Sequence, residues 1–98
     1  MSKIVTILDV ANREYLDSKH YYELEQQGLG LAFKTEVSYA IMRIRQFPQL
    51  GDKSISDTRR MLLTRFPFQI FYKEYDSHIA IISISHQHRY PDYWINRI

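Results

Sequence analysis

Ninety-eight residues with 45% apolar and 14% aromatic side chains make one domain near the lower end of what buries a self-sufficient core, which excludes a disordered chain. The lack of cysteine excludes disulfides, thiolate chemistry and Cys-based zinc sites, so packing alone must hold the fold. A net charge of +2 hides an uneven distribution, because residues 1–49 balance six Lys/Arg against six Asp/Glu while residues 50–98 carry seven against five. A modest basic patch in the C-terminal half is implied, rather than a basic protein. That half also holds His78, His86 and His88, whose charge rises as pH falls through the imidazole range.

The chain begins Met1-Ser2-Lys3-Ile4-Val5-Thr6-Ile7-Leu8, an apolar run too short for a secretory segment, and no later run reaches membrane-spanning length. A soluble cytoplasmic protein is the expectation. Lys3 to Leu8 is rich in Ile and Val, consistent with a buried strand. Asp9 offers an N-cap, and Ala11, Tyr15, Ser18 and Tyr22 recur on one helical face, with the helix expected to end at Gln27. Gly28 can close that helix in the left-handed conformation, and Gly30 allows a reversal into a second helix. Phe33, Val37, Ala40 or Ile41, Ile44 and Phe47 continue the helical period until Pro48 stops it. The two helices are expected to form an antiparallel hairpin.

After a polar connection from Gln49 to Asp57, Arg59 to Arg65 alternates basic and apolar positions, Phe68 to Tyr75 is aromatic and β-branched, and Ile79 to Ser85 is nearly continuous in Ile. Pro67 marks the first turn between these runs and Asp76-Ser77 the second, predicting a three-stranded antiparallel meander. The order β-α-α-β-β-β over residues 1–98 predicts one α+β domain, a helical hairpin packed on one face of a small, mostly antiparallel sheet.

The closing segment carries the candidate chemistry. His86 and His88 have strand period and could converge on one ligand. A metal lacks a third ligand, because His78 lies eight residues before His86, about 26 Å along an extended strand, and Asp92 would have to reach back across the Pro91 turn. No metal or cofactor is expected. The structural alternative makes His86 a satisfied histidine at the sheet end and leaves His88 on the surface. Metal-free cleavage of RNA through its 2′-hydroxyl needs an acid, a base and cations at the phosphorus. His86, His88 and Tyr93 would supply the first two, with Arg60, Arg65 and Arg89 around the phosphate. Tyr21-Tyr22 offers either a base-stacking platform or ordinary core and rim packing, and Arg43 and Arg45 read as a solvated helix face.

The Arg59-Arg60 strand, the Arg65-Phe66-Pro67-Phe68 turn and the His86, Arg89, Pro91 and Trp94 ending follow a Tyr21-Tyr22-Glu23 helix end, a Gly28-Leu29-Gly30 break and a Phe33/Glu36-Val37 helix start. From about Asp9 to Trp94 this order resembles the RelE/ParE superfamily of type II toxin–antitoxin toxins, and most nearly its ParE-like branch. The resemblance implies a toxin neutralised by a cognate antitoxin in a hetero-oligomer, acting on DNA gyrase and so arresting replication and growth, without covalent chemistry of its own. Contacts to the target or antitoxin would fall on Arg59, Arg60, Arg65, Arg89, Tyr93 and Trp94. In the same reading Tyr93 and Trp94 cover the sheet end, Pro91 fixes the turn that returns them, and Arg89 pairs with a carboxylate or stacks on a ring. The RelE-like branch implies instead a metal-independent, ribosome-dependent endoribonuclease acting on mRNA. A non-catalytic RNA-binding module using the basic strands is the third alternative.

Overall fold

The computed structural model describes residues 3–89 and 91–98. Met1, Ser2, Tyr90 and the side chains of Pro91 and Asp92 lie outside the described residues, and with them the parts read for Pro91 at the turn and Asp92 as a ligand. The elements are β1 (Ile4–Ile7), α1 (Asp9–Glu25), α2 (Leu29–Gln46), β2 (Asp52–Lys53), β3 (Arg59–Leu62), β4 (Phe68–Glu74) and β5 (His78–His86), with short 3-10 segments at Ile55–Asp57 and Pro91–Arg97. One five-stranded sheet has the order β1-β5-β4-β3-β2. The expected meander β3–β4–β5 forms its centre, and the hairpin at Asp76-Ser77 is closed by the Tyr75 amide donating to the His78 carbonyl at 2.8 Å. The sheet is wider than the meander because β1 adds in parallel beside β5 and the two-residue β2 adds beside β3.

The helix ends differ from expectation in instructive ways. Asp9 is the first residue of α1 rather than its cap; Leu8 holds the cap position, and no side chain bonds there. Its carboxylate still lies at the positive end of the helix dipole. The first helix stops at Glu25, two residues before Gln27, and α2 begins at Leu29, four before Phe33. Gly28, with φ of 93°, occupies the left-handed region that side chains with a Cβ enter at a cost. In place of a local cap, the Glu23 carboxylate reaches over from α1 to accept from the Gly28 amide at 3.1 Å and the Gly30 amide at 3.0 Å. Gly30 is therefore not a reversal point. It lies inside α2, where a Cβ would come within 2.9 Å of Glu23 Oε1 and 3.1 Å of the Lys19 carbonyl, so its missing side chain lets the helices approach.

Both faces of the sheet are covered. On one, Phe33, Val37 and Ile44 of α2 and Ala11 of α1 meet Ile70 and Tyr72 of β4 and Ile79, Ile81 and Ile84 of β5. On the other, Trp94 of the C-terminal segment lies 4.8 Å from the Phe71 ring, with Ala80 and Ile82 beneath it. Burial on two sides is why β5 reads as an unbroken apolar run. The ladder between β4 and β5 slips once. Phe71 stands opposite Ser83 and Tyr72 opposite Ile81, leaving Ile82 between them. Such a bulge reverses which edge the following backbone groups address, and it turns the Ile82 carbonyl and Ile84 amide outward beyond the end of β1. There Arg97 Nη1 donates to the Ile82 carbonyl at 3.0 Å, and the Ile84 amide donates to Glu14 Oε1 at 3.2 Å.

Candidate functional site

The singled-out C-terminal residues divide between the two faces. His86 stands opposite Phe68 on the helix side, its ring 5.7 Å from that of Phe68. His88 stacks on His86 at 4.8 Å, and the His88 amide donates to His86 Nδ1 at 3.2 Å. A neutral His86 ring then carries its proton on Nε2. The two imidazoles meet as the sequence suggested, but through a turn after the strand rather than through strand period. Asp17, Ser18, Tyr21, Tyr22, Phe68 and His86 line an open groove of about 430 Å³. Tyr22 packs edge-on against Phe66 and Phe68, whereas Tyr21 is 58% exposed at the groove rim. His78 sits at the other end of β5, its Nδ1 2.8 Å from Ser77 Oγ and its ring stacked on Tyr75. Among the described residues no three His, Asp or Glu side chains are grouped to hold a metal ion.

The opposite face holds Arg60, Arg89, Tyr93 and Trp94. Arg60 stands across from Phe71, the residue under Trp94, and is exposed. Trp94 is fully buried, and among the described residues its Nε1 has no hydrogen-bond partner. Arg89 lies over the Tyr93 ring at 4.1 Å, with Arg97 5.0 Å from the same ring. The Tyr93 hydroxyl donates to Glu14 Oε2 at 2.7 Å and lies 2.6 Å from Ser83 Oγ. Burial pushes the Tyr93 phenol above its ordinary value, against the opposing hydrogen bonds from Ser83 and Ser85, and the Glu14 carboxylate adds a smaller push upward. A phenol so held keeps its proton at neutral pH, which suits a structural bond better than a general base.

Arg59 and Arg65 are tied locally. Arg59 Nη1 donates to the carbonyls of Gln49 at 3.2 Å and Gly51 at 2.8 Å, fastening the β2 approach to β3. The loop before β4 is held by Glu36 of α2, whose Oε1 accepts from the Thr64 amide at 2.6 Å and the Arg65 amide at 2.7 Å. The exposed Arg65 guanidinium lies 5.9 Å from the Phe66 ring. Arg43 lies over Tyr39 on α2, while Arg45 Nε donates to the Lys3 carbonyl at 3.2 Å.

Glu14, Ser83 and Arg97 were not singled out from the sequence, and Glu36 only as part of a helix-start motif, although all four position the others. Arg97 Nη1 pairs with Glu14 Oε1 at 3.0 Å, and the same carboxylate serves Tyr93 and Ile84. One signal was present: Glu14 falls between Ala11 and Ser18 on the inward stripe of α1, where a carboxylate must find partners. Two serines in an otherwise Ile-rich strand were a second.

At the level of sequence, no protein-family model and no curated protein matches this chain. Solved structures do resemble it. A chain of the chromosomal ParDE toxin–antitoxin system from P. aeruginosa superposes with a TM-score of 0.76 at 15% identity, covering 87% of this chain and 96% of that one. A mutant of the E. coli toxin RelE in the free state gives 0.71 at 13% identity, covering 100% and 99%. Likeness at such identities is one of fold, and with a helical hairpin on a five-stranded mixed sheet this chain has the fold of the RelE/ParE superfamily.

Proposed function

We propose that this protein is the toxin of a bacterial type II toxin–antitoxin pair, that a cognate antitoxin neutralises it, and that it acts in the cytoplasm by binding its target rather than by cutting RNA. DNA gyrase is the target implied by the ParE-like ending, and inhibited replication with growth arrest is the consequence. One observation carries the choice between binding and cutting. The imidazole pair His86 and His88 and, with it, Arg65 stand on the helix side, while Arg60, Arg89 and Tyr93 stand on the far side, so the set of groups an RNase would gather at one phosphate is divided between the two faces of the sheet. Arg59 and the Tyr93 hydroxyl are already bonded inside the fold. In this reading Tyr93 and Trp94 anchor the C-terminal segment, and Arg60, Arg65 and Arg89 are the exposed cations that meet a partner.

In this reading the antitoxin sits on the helical hairpin. An open groove of about 470 Å³ combines Leu16 and Leu31 with Lys19, His20 and Lys34, and the one carboxylate in its lining, Glu23, is held by the Gly28 and Gly30 amides, chemistry that fits an acidic amphipathic helix. The functional test sets purified toxin against supercoiling by DNA gyrase and, in parallel, against mRNA on translating ribosomes. Supercoiling should be inhibited and mRNA left intact, with His86→Gln and His88→Gln abolishing no chemistry. Codon-specific cuts that disappear in His88→Gln or Tyr93→Phe, a loss of about 10²–10⁴-fold in rate, would establish the RNase instead.

A further inference from the structure

The outer edge of β1 is built to accept a strand, and we infer that the strand is β1 of a second copy of this chain, paired antiparallel about a two-fold axis at Thr6. The inference stands apart from the toxin reading. It begins with backbone alternation. The Leu8 amide donates to Ile81 at 3.1 Å and the Lys3 carbonyl is taken by Arg45 Nε, so Ile4, Thr6 and Leu8 address β5 while the N–H and C=O groups of Val5 and Ile7 address the outer edge.

Most sheets blunt an open edge with a short strand, a charge, a proline or a bulge. The opposite edge here follows that rule, because β2 is two residues long. The β1 edge does not: its four residues, Ile4-Val5-Thr6-Ile7, include no charge and no proline. Ile4 is 68% and Ile7 40% exposed. Beside them Val5, Ser38, Ile41, Met42 and Arg45 line an open groove of about 390 Å³ with Ile4.

Self-pairing is favoured over an arbitrary strand because the sequence is complementary to itself in the one register that backbone phase and charge both allow. Outward-facing residues must meet outward-facing residues, so Val5 lies opposite the partner copy's Ile7 and Thr6 opposite itself. Beyond these pairs the strand ends: Lys3 is held by the Glu74 carboxylate at 3.0 Å, and Asp9 is already the first residue of α1. The Lys3 end of the edge also carries the exposed Arg45 guanidinium, and the Asp9 end carries an exposed carboxylate. Antiparallel pairing therefore sets the Arg45 end of each edge against the Asp9 end of the other, and places the exposed Ile7 of each copy opposite Val5 of the other, beside its Ile41 and Met42 groove.

Because the chain has no cysteine, a single introduced thiol reads the register directly. Residues opposite each other at a non-hydrogen-bonded position lie about 4.5 Å apart at Cα, inside the range of roughly 4.4–6.8 Å that a disulfide spans. Thr6→Cys should cross-link two full-length chains under mild oxidation, whereas Gln27→Cys in the exposed interhelical turn should not. Sedimentation of the unmodified chain should show its 11.8 kDa mass doubling as concentration rises. Val5→Pro removes an outward donor and should raise the dimer dissociation constant about tenfold or more. Because Val5 also packs on the core, Thr6→Glu at an exposed position, which sets like charges opposite each other at the two-fold axis, should weaken the dimer likewise with the single chain still folded. One-chain mass at every concentration without a Thr6→Cys cross-link would overturn the inference, as would a dimer that cross-links equally well through Gln27→Cys. An edge that stays unpaired alone yet takes up an antitoxin strand would also overturn it, giving the surface to a different partner.

Discussion

Glu23 shows how a single side chain can serve an element to which it does not belong. It sits in α1, yet its carboxylate accepts from the Gly28 and Gly30 amides at the start of α2, where donors have no partner within the helix. The negative charge also meets the positive end of the α2 dipole. Glu23→Ala should therefore cost about 0.5–2 kcal/mol, the range of a lost N-cap, measured as a shift in the urea midpoint at constant slope. Glu23→Gln should recover part of it. An unchanged midpoint in the alanine variant would mean that water replaces the carboxylate without loss. Neither helix-end signal in the sequence pointed here, because the capping residue lies five positions before the first amide it holds.

At the scale of elements, the C-terminal 3-10 segment behaves as a second layer of the core. Trp94 closes the far face of the sheet over Phe71, and Arg97 and Tyr93 bind it around the edge of β5 to Glu14 of α1. Trp94→Ala should cost about 3–5 kcal/mol, as buried tryptophans do, and deleting residues 91–98 should cost at least as much by also stranding the Glu14 carboxylate. Thermal melts of both variants provide the measurement; a midpoint that stays put after deletion would show the segment to be a free arm. The sequence foretold that Tyr93 and Trp94 would cover the sheet. It did not foretell the β5 bulge, which turns the Ile82 and Ile84 backbone towards Glu14 and Arg97.

For the molecule as a whole, the distribution of tyrosines sets an alkaline limit. Burial raises the phenols of Tyr15 and Tyr22 on the helix side, Tyr72 within the sheet and Tyr93 in the C-terminal segment above the ordinary value of 10.0. The folded chain therefore holds protons that the unfolded chain releases above pH 10. By linkage their contribution is fully present below that pH and is lost as pH climbs through the raised folded values. Urea midpoints should hold between about pH 8 and 9.5 and fall steeply towards about pH 11. Tyr72→Phe should lessen that fall, and a midpoint indifferent to alkali would show that the rings ionise without leaving their sites.

The sequence by itself determined the helical hairpin, the meander β3–β4–β5, the inward face of α1 and the superfamily resemblance, because these rest on local periodicity, turn residues and the order of motifs along the chain. Only the tertiary structure decided the rest. Strand β1 finds its partner more than seventy residues later, a pairing that no local pattern encodes. The separation of His86 and His88 from Arg60, Arg89 and Tyr93 follows from side-chain alternation across paired strands and from a C-terminal segment that folds onto the opposite face. Spacing along the chain placed these groups in its last forty residues, whereas the sheet, whose two faces are packed independently, put them on different sides.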